Sequence, residues 1–141
     1  MKIRIVLLTA VVLSAIGFGL SSYGETAVEC KCGIPSADAA FTRSSNVFLG
    51  EVVSEEKNGD IRTFEFKVER YWKGKAAKTI KINVYENARY QAWFKTGERY
   101  LVYATANQDG TLSVGRCSRS NEAKNAAADL KKLGKGKVPR K

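Results

Sequence analysis

Three cysteines are the residues of this chain best suited to covalent chemistry. Cys30 and Cys32 are separated only by Lys31, and Cys117 lies far along the chain. In an extended segment the side chains of a Cys-X-Cys fall on one face, and two cysteines so placed along one chain would normally bond to two different partners. An odd count leaves one cysteine unpaired or joined to a second molecule. Two close cysteines with one remote partner do not match the ligand spacing of a structural zinc site. The chain contains no histidine, which removes the commonest general base and the commonest neutral metal ligand. A Ser-His or Cys-His catalytic pair therefore cannot be built. No glycine-rich phosphate loop precedes a helix. Glu65 and Glu69 alternate with apolar residues, where they solvate the outer face of a sheet. The expectation is a non-enzymatic protein with no cofactor and no stably bound metal.

A disulfide needs an oxidising compartment, and the start of the chain supplies a route to one. Met1-Lys2-Ile3-Arg4 is a short positive region, and residues 5–20 are almost wholly apolar. Small residues follow at Ser21, Ser22 and Gly24. This three-part pattern reads as a secretory signal peptide over residues 1–24. The apolar run is shorter than the roughly 20 residues that span a bilayer. Glu29 directly before Cys30 is a poor lipoprotein signal. The expected location is secreted or periplasmic. Residues 25–141 then form the exported chain of 117 residues, a length suited to one domain.

The formal charge of +10 is unevenly spread. Lys131, Lys132, Lys135, Lys137, Arg140 and Lys141 supply +6 with no acid among them, whereas residues 25–130 carry only +2. The segment 134–141 is expected to be a disordered basic tail. Such a tail can contact anionic surfaces, among them lipid headgroups and acidic polysaccharide. Tyr71 and Tyr85, near Lys73, Lys75 and Lys81, could stack on bases. However, most aromatics fit core positions and an exported protein rarely meets nucleic acid, so no nucleic-acid partner is expected.

The elements that must position the cysteines follow from pattern. Ser36 caps a short helix that ends at Ser44-Ser45. Residues 46–55 read as a strand with both faces apolar, bent at Gly50. Asn58-Gly59 marks a hairpin. Residues 61–72 alternate, with Phe64, Phe66, Val68 and Trp72 on one face. Ile80, Ile82 and Val84 define the next strand. Residues 86–96 lack a period but hold Tyr90, Trp93 and Phe94, and so are expected to pack across the sheet. Strands follow at residues 99–105 and 111–117, joined by Gln108-Asp109-Gly110. Ala123, Ala126, Ala127, Leu130 and Leu133 recur at helical spacing, and Gly134 stops the helix. The fold class is all-β. It is a small five-stranded OB-fold-like barrel with a short N-terminal helix and a C-terminal amphipathic helix.

The ordered set of motifs resembles the bacterial branch of the netrin-like and tissue-inhibitor-of-metalloproteinases superfamily. It runs from Cys30-Lys31-Cys32 through Asn46-Val47-Phe48-Leu49-Gly50-Glu51-Val52 and Phe66-Lys67-Val68-Glu69-Arg70-Tyr71-Trp72-Lys73-Gly74. It continues through Phe94-Lys95-Thr96-Gly97-Glu98-Arg99-Tyr100-Leu101-Val102-Tyr103 to Cys117-Ser118-Arg119-Ser120. The resemblance covers about residues 30 to 133, within a domain placed at residues 25–133. It implies an OB-type barrel and a disulfide between Cys32 and Cys117. It also implies a metalloendopeptidase inhibitor whose ridge of Lys31, Cys32 and Gly33 fills the protease cleft while Cys30 contacts the catalytic zinc. That contact uses a free α-amino group, so it requires the exported chain to start at Cys30. The other expected function is an extracellular protein- or polyanion-binding module without inhibitory activity, its basic contacts being Lys131, Lys132, Lys135, Lys137, Arg140 and Lys141. A monomer is expected, with a disulfide-linked dimer through Cys30 as the other state.

Overall fold

The computed structural model describes residues 32–75, 77–87, 90 and 92–140. The expected signal peptide, Cys30, Lys31 and Lys141 lie outside the described residues. Ser36 opens helix α1 (Ala37–Arg43), its Oγ accepting from the Ala39 amide at 3.3 Å. Extended backbone at Ser44 ends the helix, and the Ser44 hydroxyl donates to the Ala40 carbonyl at 2.7 Å. Six strands follow: β1 (Asn46–Asn58), β2 (Ile61–Lys73), β3 (Thr79–Tyr85), β4 (Arg99–Ala106), β5 (Leu112–Ser113) and β6 (Asn121–Glu122). A 3-10 turn (Ala123–Asn125) leads into helix α2 (Ala127–Leu133).

The fold is sheet-rich with two helices, and five of the strands form a ring. The order is β1-β2-β3-β5-β4, and β4 pairs again with β1. The contact between β3 and β5 is parallel and the others in the ring are antiparallel. β1 serves two neighbours because it is long and bent. Residues Val47 to Glu51 pair with both β2 and β4, and the strand then continues against β2 as far as Asn58. Its burial falls away accordingly: residues 46–50 are buried, and from Val53 onward the strand is exposed. Gly50 leaves room for a close approach of β2, since a Cβ there would lie 2.8 Å from the Lys67 carbonyl oxygen. The ladder skips a residue beside it, since Leu49 faces Arg70 and Gly50 faces Val68.

That bulge changes which aromatic faces the core. Phe64, Phe66 and Val68 point inward as the alternation predicts. The extra residue Glu69 reverses the order of faces. Tyr71 therefore packs against the main core, and Trp72 packs with a second cluster. The expected inward Trp72 is corrected on this ground. At the hairpin, Asn58 faces Ile61, so Gly59 and Asp60 are the two central residues. Gly59 alone has a positive φ, 59°, the pattern of a type II′ rather than a type I′ turn.

β4 explains its run of bulky residues by burying both faces. Tyr100, Val102 and Ala104 enter the main core, while Leu101 and Tyr103 join Ala40, Val47 and Ala126 beneath the helices. Phe94, from the irregular segment before β4, closes the main core. Its ring meets Phe64, Phe66 and Tyr100 edge-on at centroid distances of 5.3, 5.1 and 4.9 Å.

Three expectations change toward the end of the chain. The strand expected over residues 111–117 is only Leu112–Ser113, because it must bridge β3 and β4 at once. After Val114 the chain leaves the sheet in a turn closed by the Ser118 amide on the Gly115 carbonyl, 3.1 Å. The helix expected from Ala123 begins only at Ala127, because Asn121 and Glu122 are paired with β4. The segment expected to be disordered instead lies along β2. Tyr71 and Lys137 exchange both backbone hydrogen bonds, at 2.8 and 2.9 Å. The edge of β2 beyond Lys67 is free of β3, whose paired residues end there at Thr79, and unpaired backbone groups on such an edge accept another strand.

Candidate functional site

The first described residues form a ridge, Cys32-Gly33-Ile34-Pro35, ahead of α1. A disulfide joins Cys32 to Cys117 with the Cα atoms 5.1 Å apart. It ties the ridge to the turn after Val114, across 85 residues of sequence. Gly33 is exposed and Ile34 is 67 % exposed. Pro35 is held from below, its carbonyl accepting from Arg119 Nη1 at 2.8 Å.

Arg119 is in turn fixed by Asp129, a buried acid on α2. Its Nε and Nη2 donate to the two carboxylate oxygens at 2.6 and 2.7 Å, a bidentate pairing that fixes the guanidinium plane. Tyr103 Oη donates to the same carboxylate at 3.1 Å. The Arg119 hydrogen bonds hold the Asp129 carboxyl below its ordinary range, outweighing its burial. Burial, followed by the charge of Asp129, raises the Tyr103 phenol. Ser120 completes the support: its Oγ accepts from the Tyr103 amide at 2.7 Å and lies 2.8 Å from Ser118 Oγ. The ridge thus rests on a polar layer whose charges are satisfied within the protein. Two shallow clefts flank it. One, of about 310 Å³, is bordered by Gly33, Pro35, Cys117 and Arg119. The other, of about 400 Å³, is bordered by Ile34, Arg119, Asn125 and Asp129.

Of the expected site residues, Cys32 and Gly33 therefore share one pinned ridge with Cys117. The basic residues lie elsewhere, on α2 and along β2. Lys131, Lys135, Lys137 and Arg140 are exposed and, among the described residues, make no ion pair, whereas Lys132 is paired with Asp38 of α1. Lys73 is also engaged, its ammonium donating to the carbonyls of Phe41 and Thr42 at 2.9 and 3.1 Å.

Sequence reasoning missed the support layer. Arg119 was in view beside Cys117, but its partner was not. The available signal was Asp129, an acid within the apolar stripe of Ala126, Leu130 and Leu133. It missed Glu86 as well. That buried carboxylate accepts from the Ala92 amide at 2.8 Å and from Arg62 Nε at 3.0 Å, with Lys57 at 3.2 Å. The Ala92 amide, then Arg62 and Lys57, bring its pKa down to about 2 against the opposing effect of burial. Glu86 so anchors the segment that delivers Phe94.

No protein-family model matches this chain, and no curated protein matches it either.

Proposed function

We propose that this chain is an exported, non-enzymatic module of the netrin-like kind, built on an OB-type barrel, that binds a protein through its pinned ridge. The partner class is a metalloendopeptidase, whose cleft the ridge would enter. The closed strand order β1-β2-β3-β5-β4 supports the barrel reading. The absence of histidine from the chain supports the non-enzymatic reading. The observation that carries the proposal is the double tether of the ridge, by the Cys32–Cys117 disulfide and by Arg119 on the Pro35 carbonyl. A segment fixed in this way presents Ile34 at little ordering cost on binding.

Intact mass of the protein recovered from its host, with titration against a panel of zinc endopeptidases, tests the reading. The reading predicts that the exported chain is trimmed from Glu25 to Cys30, that the trimmed chain inhibits stoichiometrically, and that Ile34→Asp abolishes the inhibition. A start at Glu25 with no inhibition would remove the inhibitor function.

A second reading, a polyanion-binding module without inhibitory activity, is favoured by one observation. The basic segment is laid along β2 by paired backbone hydrogen bonds, with Lys135, Lys137 and Arg140 exposed.

A further inference from the structure

We propose that residues 135–140, together with Arg70, form a docking surface for an anionic lipid bilayer. The inference rests on the polyanion reading and names the chemistry of the anion.

The segment is held entirely by groups other than its cationic side chains. Tyr71 and Lys137 exchange backbone hydrogen bonds, Trp72 Nε1 donates to the Gly134 carbonyl at 3.1 Å, and Arg70 Nη1 donates to the Lys135 carbonyl at 3.2 Å. Gly136 allows this approach. Its φ is +67°, and a Cβ there would lie 2.8 Å from the Trp72 ring. Lys135 and Lys137 are thereby displayed on backbone held to β2, with Arg70 beside them and the exposed Arg140 three residues on.

The local field is positive because the nearby acids are already matched. Both carboxylate oxygens of Glu69 are bonded by Arg99 at 2.6 and 2.7 Å, and Asp38 is paired with Lys132. No acid follows Asp129 in the sequence.

Val138 selects lipid among anions. It is 69 % exposed, more than Ile34, Val53 or Tyr85, and stands between Lys137 and Arg140. A polysaccharide chain rewards the cations but not a valine. A bilayer rewards both, since cations meet headgroup phosphates while an apolar side chain enters the acyl boundary.

The test uses the chain as purified from the producing cell, its first residue fixed by intact mass. Flotation would be measured with vesicles of phosphatidylcholine alone and of equal parts phosphatidylcholine and phosphatidylglycerol, alongside retention on immobilised heparin. Binding is expected only to the phosphatidylglycerol vesicles, and should weaken with salt. The triple variant Lys135→Gln, Lys137→Gln, Arg140→Gln should lower the partition coefficient about a hundredfold, at about fivefold per cation. Val138→Ser should lower it about tenfold while leaving heparin retention unchanged. Circular dichroism of each variant checks the fold, and Val138→Ser alone decides the matter if the triple variant does not fold. Equal partition to both vesicles, or wild-type partition of Val138→Ser, would overturn the inference. Heparin retention without flotation would overturn the lipid assignment and leave the polyanion reading standing. Absence of both would overturn the two together.

Discussion

The ridge at residues 32–35 and the basic segment at residues 134–140 are both irregular chain laid against the same sheet, but different forces hold them. The ridge is tied by a covalent bond and by a half-buried arginine with its own counter-ion. The basic segment is held by two backbone hydrogen bonds, two side-chain donors and a tryptophan ring over a glycine. The first arrangement couples the ridge to global stability, because the disulfide closes most of the domain into one loop. The second couples the segment only to the edge of β2. One attachment should fail with the whole fold, and the other should open locally while the fold persists.

Removing the disulfide is the strongest test of that contrast. Replacing both cysteines, Cys32→Ser with Cys117→Ser, should cost about 4 to 5 kcal/mol by the chain-entropy argument for a loop of this length. Urea unfolding of the variant against the parent measures it. An unchanged midpoint would show that the ridge is not coupled to the global transition.

The layer under the ridge comes next. Asp129→Asn leaves Arg119 without its counter-ion and weakens the bond to Tyr103, at about 2 to 3 kcal/mol. Its readouts are the unfolding midpoint and faster amide exchange at the ridge. The same carboxylate gives a pH dependence of known sign. Asp129 and Glu86 both have folded pKa values below their unfolded ones. Their contributions are present above the unfolded values and are lost as the pH falls through the folded ones. For Glu86 that window runs from 4.5 down to about 2. Stability should fall across it, and the fall should be shallower in Glu86→Gln than in the parent.

The smallest global effect belongs to the basic segment. Gly136→Ala places a Cβ at positive φ and against Trp72, a strain of about 1 to 2 kcal/mol. The segment can relieve that strain by leaving β2. The expected outcome is faster exchange of the Tyr71 and Lys137 amides with nearly unchanged exchange in β1 and β4. A drop in global stability as large as that of Asp129→Asn would erase the distinction between the two regions.

What could be read in advance differs between these regions for the same reason. The helix cap at Ser36, the bend at Gly50, the alternation through Phe64 and Phe66 and the turn at Gly59 are all local, set by residues within a few positions of one another. They were legible. The face reversal at Tyr71 and Trp72 was not, because one bulge residue decides it and bulges are set by the partner strand. The partners of Asp129 were not legible either, because Tyr103 and Arg119 lie on other elements and meet it only in the folded chain. The basic segment looked like free chain because its composition lacks apolar residues enough to form a core. Its attachment uses backbone groups of β2, and the sequence of the segment says nothing about those.

The sequence by itself determined that this is a β-rich domain with two small helices, that its chemistry lacks histidine, and that its last residues are cationic. Alternation, capping and turn residues act over short spans and carry that information directly. Only the tertiary structure decided that a carboxylate on α2 supports the ridge and that Lys135 and Lys137 are displayed on backbone held to β2. Both depend on which edge or face a distant element leaves open, and that is settled only when the strands close into their ring.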